Sequence, residues 1–161
     1  MLEHRMMQAT VRPNSRTIEG IAVPYNSLSV TLRDRPRPYK ERMDPDAMKW
    51  DDNVVALVQH DPQTVPLARI GAGTMRVSNA PEGLRFEIDL PENRTDIIEA
   101  LERGDLDGSV SVGFVCQDDS WRHNRGAPSV RTVRAAMLHE ISVVSRGAYA
   151  RARGTLKESS V

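Results

Sequence analysis

Only the segment NRTDIIEALERG, residues 93–104, combines an apolar helical stripe with a helix stop. Almost every other apolar run is short, rich in β-branched residues and closed by a turn signal. Ile97, Ile98 and Leu101 share one face of that helix, Asn93 or Thr95 serves as its cap, and Gly104 is placed for a left-handed stop. The strands therefore cluster in the chain without a helix between each pair, which argues against βαβ units. The fold class expected is mainly β with a few helices, a partly closed antiparallel β-barrel covered by helices.

The strands read from the pattern are IEGIAVPYN (18–26), SVTLR (29–33), NVVALVQH (53–60), SVSVGFVC, VRTVRAA and MLHEISVVS (137–145). ARIGAGTMRV and LRFEIDL add a hairpin turning through SNAPEG. A polar hairpin region, DDSWRHNRGAPS, follows SVSVGFVC. RDRPRPYKER reads as a basic, proline-interrupted surface loop, with a substrate or partner contact as the other reading. In DPDAMKW, Asp44 is placed as an N-cap and Pro45 at the first helical position, which predicts a short second helix. No repeat of fixed period occurs. At 161 residues the length suits one domain. We expect that domain over residues 1–145, with its core from about residue 18, and a basic tail over 146–161.

Charge narrows the function classes. Basic and acidic side chains number 22 each, so neither nucleic acid nor an anionic membrane surface is an evident partner, and a protein or small-molecule substrate is expected. The single cysteine, Cys116, allows no internal disulfide and no multi-cysteine metal site, which suits a reducing compartment. MLEHRMMQAT lacks the apolar core of a signal peptide, and no run reaches the about 18 apolar residues of a membrane-spanning helix.

Three positions stand out chemically. In a strand over GSVSVGF, Val110, Val112, Phe114 and Cys116 point one way, and Ser109, Ser111, Gly113 and Val115 point the other. The second face is either an exposed pair of serines or a small-residue surface that an extended peptide can approach. His60 ends an apolar strand, as a satisfied terminal histidine or as a general base on a rigid element. Glu140 sits in the apolar strand LHEISVVS, expected on the face of Leu138, Ser142 and Val144, where a buried carboxylate needs a partner such as an imidazolium. His4 is expected in a frayed end and His123 in a polar loop, while His139 points away from Glu140. Serine, histidine and acid make a hydrolase triad in principle, yet their spacing alone is a weak signal.

The segments LVQHDPQTVPLARI, RGDLDGSVSVGF and HEISVVSRGAYARAR, in that order, resemble the prohead (capsid maturation) protease family of tailed bacteriophages. GIAVPYNS and ERMDPDAMKW resemble its opening motifs, so the similarity spans about residues 18–152. It implies a serine endopeptidase with an assemblin-like β-barrel and no cofactor or metal. The enzyme would be packaged inside the procapsid in the host cytoplasm, where it self-associates and cuts the scaffold or the scaffolding segment of the major capsid protein. Carried over by motif, Ser111 is the nucleophile, His60 the general base and Glu140 the residue that orients His60. Backbone N–H groups at Arg146 and Gly147 are the oxyanion-hole candidates. GSVSVGF carries one residue more than the common spacing, which leaves Ser109 as the fallback nucleophile. Ala68 stands where a glycine is common, and SRGAYA replaces a frequent proline. The competing reading is a non-catalytic capsid-assembly or internal scaffold module of the same fold. A G-x-S-x-G turn, which an esterase-like hydrolase would need, is absent.

Overall fold

A computed structural model describes residues 1–145; the expected tail, with Arg146 and Gly147, lies outside the described residues. Ten strands follow in chain order: β1 Leu2–Val11, β2 Thr17–Pro24, β3 Tyr39–Met43, β4 Met48–Lys49, β5 Val55–Val58, β6 Ala68–Arg69, β7 Met75–Ala80, β8 Gly83–Asp89, β9 Ser109–Arg122 and β10 Ser129–Val143. One α-helix, α1 Thr95–Arg103, and a 3-10 turn at Ile70–Ala72 are the helical elements among the described residues. The strands form one nearly closed, barrel-shaped sheet in the order β6-β5-β10-β9-β1-β2-β8-β7, with β3 and β4 also pairing on β10.

The architecture agrees with the expected mainly β barrel, and the SNAPEG hairpin is present as β7 and β8. Several elements differ. β10 runs parallel to β3, β4 and β5, so the barrel is mixed rather than purely antiparallel. VRTVRAA and MLHEISVVS form one long strand, which pairs along β9 and absorbs its irregularities as bulges. SVTLR is no strand, apart from a single bridge between Leu32 and Tyr39. There the Ser29 hydroxyl accepts the Glu41 N–H at 2.8 Å and donates to the Val30 carbonyl at 2.7 Å, competing with a regular ladder.

The basic loop is half strand. YKERM is β3, with Tyr39, Glu41 and Met43 pointing inward and Lys40 and Arg42 less buried. DPDAMKW forms a turn and β4 instead of a helix, because Asp46 takes a left-handed φ of 58° and the Ala47 N–H closes back on the Asp44 carbonyl. The cap of α1 is neither Asn93 nor Thr95. A turn from Pro91 to Arg94 places Arg94 at the cap, with no side-chain bond to it. Asp96 in the first turn complements the helix dipole, and Gly104 at φ 82° ends the helix as expected. Thus one helix, rather than several, packs on the barrel among the described residues, with Ile97 buried and Ile98 and Leu101 partly buried against the core.

The core lies on the face of β9 that carries Val110, Val112 and Phe114, opposite Leu138, Ile141 and Val143 of β10. At one end of the barrel this apolar core gives way to a buried ionic network. Arg5 donates to both carboxylate oxygens of Glu41 at 2.8 Å, while Arg131 donates to Glu3, Glu41 and Asp119. The network ties β1, β3, β9 and β10 together.

Candidate active site

The other face of β9 carries the groups singled out by motif. Three neighbouring strands present them in rows. His4 of β1, Gly113 of β9 and Glu140 of β10 stand side by side, and the adjacent row is Met6, Ser111 and Ser142. Gln8 and Ser109 form the next pair, with the Gln8 amide donating to the Ser109 hydroxyl at 3.1 Å.

A bulge sets the direction of Glu140. Leu138 pairs with Phe114 and Glu140 with the preceding Gly113, so His139 is the extra residue. An inserted residue shifts the two-residue alternation by one. Leu138 consequently joins the core face, and Glu140 and Ser142 join the face of Ser111. The expected grouping of Glu140 with Leu138 is corrected by this one residue, and His139 itself is exposed.

Gly113 makes room for the cluster. A Cβ there would stand 2.8 Å from Glu140 Cγ, 3.2 Å from its Oε1 and 3.4 Å from His4 Cδ2. Any larger residue would push the Glu140 side chain off its seat.

His60 arrives from β5, which lies beside β10 on the side away from β9. Gln59 and His60 both adopt positive φ, 54° and 58°, in a tight turn closed by the Asp61 N–H on the Val58 carbonyl. Side chains other than glycine pay roughly 1–2 kcal/mol for such a conformation. Gln59 pins the turn to the end of β10, through its N–H to the Val143 carbonyl and its amide to the Ser145 hydroxyl. The turn brings the His60 ring onto Glu140, Nδ1 to Oε1, and tilts it against the His4 ring at a centroid distance of 4.2 Å.

Glu140 is the hub. Its Oε1 also meets His4 Nε2 at 3.2 Å, and its Oε2 accepts from the Ser142 hydroxyl at 3.3 Å. Burial pushes this carboxyl up, but the hydrogen bonds from His4 and His60 outweigh burial and carry it down to about 2. It is therefore ionised at neutral pH and only accepts. His60 then presents Nδ1–H to it, which leaves Nε2 as the basic nitrogen. Ser111 is 1 % exposed, and its hydroxyl has no hydrogen-bond partner among the described residues.

The structure thus joins His60 to Glu140 and sets Ser111 on the same face one row away. Ser109 is equally buried but engaged by Gln8. The motif missed His4, which lies in β1 between β9 and β2 rather than in a frayed end. Gly113 and Ser142 fall within the matched segments, but the motifs give them no role in the cluster. Nothing local marks His4, since LEHRMMQATV shows no clean alternation. The large cleft of about 900 Å³ near α1 is lined by the β1–β2 turn and lies away from this cluster.

A family model described as caudovirus prohead serine protease matches residues 3–161. The chain belongs to the caudovirus prohead serine protease family. Membership makes it a peptide hydrolase of the serine class with a role in capsid maturation. Comparison with curated proteins and with solved structures finds no match. The family match reaches back to residue 3 and so includes β1 with His4, which the motifs legible in the sequence did not. Among the described residues no helix is long and apolar enough to cross a membrane.

Proposed function

We propose that the chain is the endopeptidase that trims the scaffold, or the scaffolding segment of the major capsid protein, inside the procapsid in the host cytoplasm. The observation that carries this reading is the His60–Glu140 pair on the face of the buried, unbonded Ser111 hydroxyl. Ser111 is the nucleophile, His60 the general base and Glu140 the group that holds the reactive tautomer.

The reaction is acyl transfer in two halves. His60 Nε2 takes the Ser111 proton as Oγ attacks the peptide carbonyl, and then returns it to the leaving amine. Water repeats the cycle on the acyl-enzyme. Glu140 keeps Nδ1–H in place and offsets the positive charge that His60 acquires. The backbone N–H groups of Arg146 and Gly147 are proposed to hold the oxyanion, a contribution of about 3 kcal/mol for each donor of this kind. An extended substrate suits a site built on strands, because its backbone can pair while side chains enter alternate pockets.

The test is the intact mass of the capsid or scaffold chain after co-expression with wild type, Ser111→Ala or Ser109→Ala. Wild type and Ser109→Ala should shorten the partner, and Ser111→Ala should leave it full length. A partner left uncut by wild type in assembled shells would replace this reading with a non-catalytic assembly module. Cleavage lost only in Ser109→Ala would move the nucleophile.

A further inference from the structure

The same face holds three groups with metal-ligand chemistry, supplied by β1, the turn after β5, and β10. His4, His60 and Glu140 each offer one ligand atom, and these atoms lie within 4.8 Å of one another; the nitrogens that meet Glu140 Oε1 are His4 Nε2 and His60 Nδ1. Two imidazoles and one carboxylate form a donor set suited to Zn²⁺, with a fourth position left for water. A tetrahedral zinc with bonds of about 2.0–2.1 Å holds its ligand atoms roughly 3.3–3.5 Å apart. The His4–Glu140 separation of 3.2 Å is already close to that spacing, and the shorter His60 Nδ1–Glu140 Oε1 contact has to open to admit the ion. The missing Cβ of Gly113 keeps the floor of the cluster open, and the His4 side chain, 35 % exposed, gives a cation access from solvent.

We propose that His4, His60 and Glu140 bind Zn²⁺, or a divalent cation of similar chemistry, and that the bound metal switches the peptidase off. The switch is the histidine tautomer. As a base, His60 keeps its ring proton on Nδ1 and its lone pair on Nε2. A metal binds only an unprotonated nitrogen, and the nitrogen of His60 that faces Glu140 is Nδ1. On metal binding each ring proton moves to the nitrogen away from the cation, from Nε2 to Nδ1 in His4 and from Nδ1 to Nε2 in His60, with no net release from the neutral rings. Nε2–H can no longer accept the Ser111 proton, and Glu140 is spent on the cation. His4 supplies the third ligand, without which the remaining pair is a weak chelate.

The binding half stands on the geometry alone; the inhibitory half rests on the reading of His60 as the base. The experiment titrates the untagged full chain with Co²⁺ as a coloured probe, displaces it with Zn²⁺, and follows cleavage of the capsid substrate with and without Zn²⁺ and a chelator. One Co²⁺ per chain should give a visible absorption band that Zn²⁺ abolishes. His4→Gln should weaken binding by about tenfold or more, while His139→Gln and Cys116→Ser should leave it unchanged. No band, or a band indifferent to His4→Gln in a folded variant, overturns the site. Imidazole ¹⁵N spectra of the wild type keep the test independent of any variant. Zinc should convert His60 from the Nδ1–H to the Nε2–H tautomer, and an unchanged His60 signal overturns the site. Zinc should also abolish most of the cleavage, reversibly on chelation. Metal binding with cleavage unchanged or raised removes the inhibitory role and keeps the site. A chain that binds Co²⁺ but never cleaves refutes the peptidase reading, leaving the site to stand on its spectra.

Discussion

Glu140 accepts from two imidazoles and a serine hydroxyl, and its charge is what fixes the His60 tautomer. Glu140→Gln keeps the shape but removes the charge, and its amide can donate to Nδ1 and stabilise the wrong tautomer. Cleavage should fall by about 10³–10⁴-fold, the loss seen when a triad acid becomes its amide. Steady-state kinetics on a peptide substrate check this, and a fall of less than tenfold would refute the orienting role. Gly113 is a second single-residue determinant. Gly113→Ala places a methyl 2.8 Å from Glu140 Cγ, so Glu140 must leave its seat. Overpacking of this kind costs about 1–3 kcal/mol, and cleavage should drop along with the urea midpoint. Ser111 was legible from the S-V-G-F motif, and its burial was not. Burial depends on the strands that flank the position, here Met6 of β1 and Ser142 of β10, which come from opposite ends of the chain.

At the scale of elements, β3 shows how a strand hides from pattern reading. Tyr39, Glu41 and Met43 all point inward, but a charge at the central position makes YKERM look like a solvated loop. Glu41 is tolerated there because Arg5 and Arg131 reach it from 36 and 90 residues away. Glu41→Gln leaves two guanidinium groups short of their counter-charge in a buried site. The expected cost is about 3–5 kcal/mol, read by chemical denaturation, with the β3–β10 amides losing hydrogen-exchange protection first. A change of less than about 1 kcal/mol would mean that the network is no stronger than surface ion pairs. The merging of two expected strands into β10 has a related cause. VRTVRAAMLHEISV reads as two strands because its alternation slips, and those slips are bulges within one continuous strand.

For the whole molecule, the ionic end of the barrel makes stability depend on acid. Burial pushes the Glu3 carboxyl up, but its hydrogen bonds to Arg131 and the charges of Arg131, Arg5 and Arg35 hold it below its ordinary value of 4.5. A carboxylate lowered in the folded state adds stability that is fully present above the unfolded value and is lost as the pH falls through the folded one. The urea midpoint should therefore be steady from neutrality to about pH 5 and decline below it, with a smaller decline in Glu3→Gln. An equal decline in both proteins would place the acid sensitivity elsewhere.

The sequence by itself determined the β class, the hairpin through SNAPEG and helix α1 with its glycine stop, because each depends on side-chain periodicity or a local backbone preference. Motif order also picked out His60, Ser111 and Glu140, which come from distant segments and share no local signal. Only the tertiary structure decided that Glu140 faces away from Leu138, that His4 belongs to the cluster, that Gly113 is its floor, and that β10 runs parallel to three strands. Those outcomes rest on register, and register is set by pairing between segments far apart in the chain. A single bulged residue is enough to exchange the buried face for the chemical one.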